Sequence, residues 1–406
     1  MSHIDDLIAS AAPQGIEFRT LGEIAELVRG NGMPKTDLTE AGVGAIHYGQ
    51  IYTRYGVWTT STLSYVAPET AAKLAKANPG DIIITNTSEN VEDVCKAVAW
   101  LGELPIVTGG HATVIRHGQD PKYLAYWFQS ESFRKQKKAL ATGTKVIDVS
   151  ARQLAKVRIP VPPLDVQREI VRILDQFTQL EAELEAELEA RRQQYAYYRD
   201  SLVRAVDGDV VALGQLGTFI RGRRFTKNDV VDEGIPSIHY GEIYTDYGVS
   251  ASRANRELRS DMAGQLRYAQ PRDVIFAGVG ETVEDVGKAV AWLGDGPVAV
   301  HDDTFSFTSG LDPKYVAYAV QTKDFHAQKA NYVARGKVKR LSSAGLAKIT
   351  IPVPGPAEQK RIVALLDGFD TLVNDLRVGL PAELAARRQQ YEYYRDKLLT
   401  FEEAAA

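Results

Sequence analysis

Two eleven-residue stretches, IHYGQIYTRYG at 46–56 and IHYGEIYTDYG at 238–248, gather polar and aromatic side chains around a glycine. The first offers His47, Tyr48, Gln50, Arg54 and Tyr55, and the second offers His239, Tyr240, Glu242, Asp246 and Tyr247. Such residues could recognise bases: Gln pairs bidentately with adenine, Arg with guanine, and Glu or Asp accepts from cytosine. The copies differ at telling places, with Gln50 opposite Glu242 and Arg54 opposite Asp246. Donors exchanged for acceptors on an unchanged frame are what two readers of different sequences would need; drift on a solvated surface is the competing explanation. The shared Ile46, Gly49, Tyr52 and Gly56 read as the corner-filling residues of a glycine-hinged β element.

A second pair of stretches is basic. ATGTKVIDVS (141–150) aligns with VARGKVKRLS (333–342), which sets Lys145 beside Lys337 and adds Arg335, Lys339 and Arg340 in the second copy. With Arg134, Lys135, Lys137 and Lys138 close by in sequence, these loops are candidate phosphate contacts. A solvated charged face is the bland alternative.

Catalytic signals are weak. FAGVG at 276–280 fits the F-x-G-x-G of adenosylmethionine-dependent methyltransferases, but the duplicated position reads ITNTS and there is no N-P-P-[YF] tetrapeptide. G-x-x-x-x-G-K-[ST] is missing. The seven histidines do not pair at metal-ligand spacing, and no Ser-His-Asp context stands out. The chain is therefore expected to hold no catalytic, metal or cofactor site.

The elements that must position these residues come from a repeat. The two HYG stretches lie 192 residues apart, as do VEDVCKAVAWLG (91–102) and VEDVGKAVAWLG (283–294), the two DPKY segments and the two IPVP segments. Short apolar runs such as DIIITN (81–86), KAVAWLG (96–102), DVIFAG (273–278) and PVAVH (297–301) predict strands. DPKYLAYWFQSESFRKQKKAL (120–140) opens with Asp then Pro and predicts an amphipathic helix, repeated at 312–330. The IPVP segments predict stiff, extended connections. Residues 165–204 contain neither Gly nor Pro and carry a narrow seam through Ile170, Leu174, Phe177, Leu180, Leu184, Leu188, Tyr195, Tyr198 and Leu202. At 1.5 Å per residue this is a rod of roughly 60 Å. Its partner is 357–403, where ARRQQYEYYRD repeats ARRQQYAYYRD and Gly379 and Pro381 predict a kink.

The expected architecture is α+β. Two similar mixed α/β domains are joined by a long antiparallel two-helix coiled coil with a pseudo-twofold internal repeat. The boundaries are 1–164 for the first domain with an N-terminal helix, 165–206 for the first long helix, 207–356 for the second domain and 357–406 for the second long helix. HIDDLIASAA is helical in pattern, and the match of TLGEIAELVRG to ALGQLGTFIRG implies that the two chain ends lie close together. A net charge of −4 leaves any nucleic-acid role to local basic patches. No apolar run could span a bilayer, the N-terminus lacks a basic n-region, and the single cysteine, Cys95, aligns with Gly287 and reads as a small packing residue. These features point to a cytoplasmic protein without a membrane.

The repeat, and the exit motif GTKVIDVSARQLAKVRIPVPPLDVQREIVRILDQF (143–177) with its partner GKVKRLSSAGLAKITIPVPGPAEQKRIVALLDGF (336–369), resemble the specificity subunits of Type I restriction–modification enzymes. The resemblance covers nearly the whole chain. It implies two target recognition domains reading a split sequence in double-stranded DNA. It also implies spacer helices that dock two adenine methyltransferase subunits, with ATP-dependent restriction–translocase subunits in the full complex. Adenosylmethionine, ATP and magnesium would then sit on those partners, and this chain would be non-catalytic. Partner docking would fall to the retained Gln167 and Gln359 and to Leu184, Leu188, Tyr195, Tyr198, Tyr391 and Tyr394. One departure is that the two domains are unusually alike, which implies related half-sites. Competing readings are a methyltransferase fused to its own reader, a coiled-coil scaffold unrelated to DNA, and the specificity subunit of a related enzyme that cuts on both sides of its site.

If the long helices act as a ruler, deleting Glu185–Leu188 removes one EAEL unit, about 6 Å of helix. The unread gap in the recognised sequence should then shorten by about one or two base pairs of 3.4 Å, with both blocks unchanged. Methylome sequencing reads this directly, and an unchanged gap would defeat the ruler.

Overall fold

The run Ile82–Ile83–Ile84 shows how each domain is layered. Side chains alternate across a strand, and here both sides are buried. Ile82 and Ile84 join Ala97, Ala99 and Ile115 in a core against helices, while Ile83 joins Val98, Trp100 and Val114 in a second core. A continuous apolar strand is the signature of a sheet covered on both faces. The computed structural model describes Asp6, Ser10 and residues 13–334 and 336–404. Its chain divides into two units, Met1–Ala182 with Ala386–Ala406, and Glu183–Ala385.

In the first unit the central sheet runs Ala25–Arg29, Ala112–His117, Ile82–Thr85, Ala97–Trp100, Trp58–Thr59, antiparallel except for the last pair. A second sheet runs Leu38–Thr39, Ser64–Val66, Val43–Ile46, Ile106–Thr108, Ala75–Ala77. The second unit repeats both orders. Gly217–Arg221, Thr304–Ser309, Val274–Ala277, Ala289–Trp292 and Ser250–Ala251 form one sheet, and Val230–Val231, Arg256–Leu258, Ile235–Ile238, Val298–Val300 and Tyr268–Ala269 form the other. FAGVG contributes Phe276 and Ala277 to the two cores of this unit. The IPVP segments are strands: Arg158–Pro160 pairs with Phe18–Thr20, and Thr350–Pro354 with Gly208–Ala212.

Three sequence expectations change. The DPKY segment is two helices, Pro121–Trp127 and Glu131–Leu140, because Ser130 caps a fresh N-terminus by accepting from the Phe133 amide. Thr322 does the same before Lys323–Lys329. The HYG stretches are helices, Tyr48–Thr53 and Tyr240–Thr245, rather than β elements. His47 Nδ1 accepts from the Gly49 amide while Gln50 reaches back to the His47 amide, and His239 and Glu242 repeat this reciprocal cap. Residues 357–406 form two helices, Pro356–Asn374 and Leu380–Leu398, where a single kinked one was expected. Asp375 turns inward to accept from the Arg377 amide, and a Cβ at Gly379 would lie 2.4 Å from the Thr371 carbonyl. The expected N-terminal helix falls outside the described residues except at Asp6 and Ser10.

Leu164–Arg204 is one uninterrupted helix. In the first unit Phe177 stacks on Tyr394 at 5.5 Å, and Arg388 pairs with Glu181 at 2.6 Å, so the two segments run in opposite directions. The second unit repeats the contact with the partners exchanged, Tyr198 on Phe369 at 5.3 Å. Ile16 bonds to the Glu402 carbonyl and the Ala404 amide, so the two described ends of the first unit meet by hydrogen bonds where Gly208 in the second unit simply follows its helix. Cys95 and Gly287 both have positive φ, 63° and 81°, which explains their alignment. Cys95 is packed inside, where burial pushes its thiol up to about 12. Among the described residues, no helix is long and apolar enough to cross a membrane.

Each unit is locked to its long helix by the same clamp. Gln167 accepts from the Asp120 amide at 2.9 Å and donates to the Pro162 carbonyl at 2.8 Å. Tyr123 donates to the Pro160 carbonyl, and Tyr126 and Lys122 both reach Asp175. Gln359, Asp312, Pro354, Tyr315, Pro352, Tyr318, Lys314 and Asp367 rebuild every one of these bonds. Removing the glutamine leaves one buried carbonyl and one part-buried amide unpaired, so Gln359→Ala should cost about 2–4 kcal/mol of unfolding free energy. Lys360→Ala, on the exposed side of the same turn, should cost almost nothing; equal denaturation midpoints for the two would contradict the clamp.

Candidate nucleic-acid interface

The HYG helices are tied to the basic loops by one hydroxyl each. Tyr52 donates to the Thr87 carbonyl, and the strand Thr87–Ser88 pairs with Ile147–Asp148 at the base of the first loop. Tyr244 donates to the Val279 carbonyl, and Val279–Gly280 pairs with Lys339–Arg340. The loops themselves are closed by backbone bonds, Thr142 to Asp148 and Ala334 to Arg340, with Lys145 and Lys337 exposed between. Gly143 serves the first loop at φ 102°, where a Cβ would lie 2.0 Å from the Val146 carbonyl. Arg335 lies outside the described residues.

In the second unit this arrangement makes a polar concavity of about 450 Å³ lined by Arg221, Arg224, His239, Tyr240, Asp303 and Arg340, among others. Three guanidinium groups line it against two carboxylates, Asp302 beside Arg221 and Asp303 beside Arg340, and this net positive charge favours an anionic ligand. His239 and His301 lie with ring centroids 4.4 Å apart. Burial, reinforced by His301, pulls His239 down to about 4, so both rings are neutral donors and acceptors near neutral pH. In the first unit Tyr48 packs on His111 at 4.7 Å, and His111 Nδ1 bonds the Thr87 hydroxyl at 2.9 Å.

The structure therefore brings His239, Tyr240 and Arg340 together and turns other expected readers inward. Gln50 spends its carbonyl on the His47 amide and its NH2 on Ser64 at 2.6 Å. Glu242 is 2% exposed, accepts from the His239 amide and pairs with Arg256 at 2.9 Å. Burial raises its carboxyl above the usual range, opposed by that amide and Arg256. Tyr55 and Tyr247 accept from the Leu63 and Asn255 amides, each at 2.8 Å, and so brace loops. These four cannot present their polar atoms to a base without unfolding a cap or a turn. His47 is likewise a buried cap. Arg54 and Asp246 are exposed C-caps at the far end of their helices, and Asp246 lines a different cleft, with Tyr244 and Arg199. Lys339 bonds back to the Gly336 carbonyl.

Sequence reading missed Arg221, Arg223 and Arg224. Their signal was RGRRFTK (221–227), where the first copy reads RGNGMPK (29–35). Gly222 permits the turn, since a Cβ there would meet the His301 carbonyl at 2.1 Å.

Of the expected docking residues, Gln167 and Gln359 are buried in the clamp. Leu188 and Tyr195 lie in the core of the second unit, with Leu184 packed against it. Tyr391 donates to Gln129, and Tyr198 and Tyr394 are stacked on phenylalanines with one edge exposed. The aromatic residues that reach solvent most fully are the ones between, Tyr197 at 67% and Tyr393 at 62%. They fall two residues past the seam positions Tyr195 and Tyr391, which would have marked them.

The family described as the Type I restriction modification DNA specificity domain matches residues 13–190 and again 206–386. The chain belongs to this family. It is 33% identical over 260 residues to the EcoR124I/EcoR124II specificity subunit of Escherichia coli, covering 61% of this chain and 63% of that one. It is 31% identical to a putative type I restriction enzyme specificity subunit of Haemophilus influenzae, covering 64% and 68%. The chain thus aligns with a little under two thirds of the first of these relatives. A chain from a solved type I R-M system aligns over 95% of this chain and 97% of its own length with a TM-score of 0.65 at 19% identity, which shows the same fold.

Neutral, half-buried histidines give the fold a pH dependence. His117, His239 and His326 are each held down to about 4, chiefly by burial, whereas an unfolded histidine titrates near about 6.5. Between these values the unfolded chain binds more protons, so stability is full above about 6.5 and is lost as pH falls toward 4. Thermal denaturation midpoints should drop through that window; a flat profile would contradict neutral burial.

Proposed function

We propose that the chain is the DNA-recognition subunit of a Type I restriction–modification complex. Each unit reads one block of a two-part sequence in double-stranded DNA, and bond-making is left to methyltransferase and restriction subunits. The observation that carries this reading is the arginine-rimmed concavity of the second unit, joined through Tyr244 and the Val279–Gly280 strand to the basic loop. The same linkage recurs in the first unit through Tyr52 and Thr87. The family match supports it. Within this reading Lys145 and Lys337, at the tips of short exposed loops, contact phosphates. The reading face centres on the Tyr48 and Tyr240 ends of the HYG helices, which leaves Arg54 and Asp246 outside it. Two equivalent methyltransferase subunits dock on the exposed tyrosines of the two RRQQYxYYRD segments.

Mapping N6-methyladenine in cells with and without this chain tests the function. A single two-block motif should vanish with the chain, and an unchanged methylome would refute the assignment. Lys145→Ala and Lys337→Ala should each weaken binding to all sequences and reduce the salt slope by about 1. A changed motif with an unchanged slope would remove them from the phosphate role.

A further inference from the structure

The two readers share a backbone frame, and their polarity differs most at one point. Arg29 and Arg221 donate to the carbonyls of Gly110 and Asp302, equivalent places in the two copies. Beyond that anchor, the first unit places Thr87, His111 and Asp148 where the second places Val279, Asp303 and Arg340. In the second unit Arg340 Nη1 lies 3.4 Å from Asp303 Oδ1, and the guanidinium is 60% exposed. Asp303 is itself fixed: its amide donates to His301 Nδ1 at 3.2 Å, and its carbonyl accepts from the Gly278 amide at 2.8 Å. Arg340 differs from the loop-tip lysine in being held at the backbone. It sits on a strand paired with Val279, its carbonyl accepts from the Ala334 amide, and the next amide, Leu341, donates to the Gly278 carbonyl.

A contact that only neutralises phosphate needs charge and tolerates mobility; a contact that reads a base needs a fixed fork. A guanidinium held on one edge by a carboxylate keeps its other donors free and oriented. The acceptor pair that matches such a fork is O6 and N7 of guanine in the major groove. Resting on the DNA-reading function above, we propose that Arg340, braced by Asp303, reads one guanine in the block bound by the second unit. The first unit, with Asp148 and His111 in those places, reads a different base there. Asp148 is acceptor-only when ionised, which suits an amino-bearing base such as cytosine or adenine.

The test uses the full chain assembled with its methyltransferase subunits and reads the motif by N6-methyladenine mapping. Arg340→Ala and Arg340→Lys should both relax one guanine of the second block, by about tenfold in preference, with the first block untouched. Asp303→Asn, isosteric but uncharged, should weaken selectivity at that same position. Matched thermal midpoints check that these substitutions leave the fold intact. Full rescue by lysine, with affinity lost evenly across sequences in Arg340→Ala, would assign a phosphate contact and overturn the proposal. So would a second block without guanine, or an unaltered motif in Arg340→Ala. A wild-type complex without any two-block motif would instead sink the DNA reading on which the proposal rests.

Discussion

A buried glutamine at each long-helix entry ties each unit's helix pair and strand to its long helix. Gln167 and Gln359 satisfy a part-buried amide from the cap of the DPKY helix and a buried carbonyl from the turn after the IPVP strand. An unpaired amide or carbonyl in such a place costs far more than an ordinary hydrogen bond contributes. The clamp therefore fixes where the helix begins, which fixes the tyrosines that brace Pro160 and Pro352 and those that reach Asp175 and Asp367. Everything above it, from the covered sheet to the HYG helix, inherits that placement.

Above this base the copies differ both in the core, where Ile84, Ile115 and Trp127 face Phe276, Phe307 and Ala319, and at the exposed rim. Each HYG helix is capped by its own histidine and by a glutamine or glutamate three residues on, and each is tied by one tyrosine to the strand beneath the basic loop. Gln50 and Glu242 differ in charge yet do the same job, and the second unit balances its carboxylate with Arg256. Charge accumulates instead at Arg221, Arg223, Arg224 and Arg340, none of which is required for packing. A neutral-to-acidic chain can thus present a basic surface locally without a basic composition.

Much of this was legible beforehand. The repeat, the strands through DIIITN and KAVAWLG, and the pairing of helices follow from periodicity, because each reports a simple burial pattern. The HYG helices did not, since a six-residue helix is too short to display a period and is held by its cap. The same blindness made Gln50, Glu242, Tyr55 and Tyr247 look like readers: their polar atoms are absorbed by backbone groups that only the fold brings near. Gln167 and Gln359 were expected to dock partners, and the structure buries both in the clamp instead. RGRRFTK was visible all along, yet only the approach of His301 and Arg340 gives it a place.

On the proposed function, each unit is a self-contained reader whose surface alone sets one block. The most direct measurement is the motif methylated by a complex whose chain carries residues 21–162 in place of 213–354, so that both readers are the first. Two copies of the first block, with the second gone, is the predicted result. Retention of the original second block, or a motif unrelated to either, would contradict it.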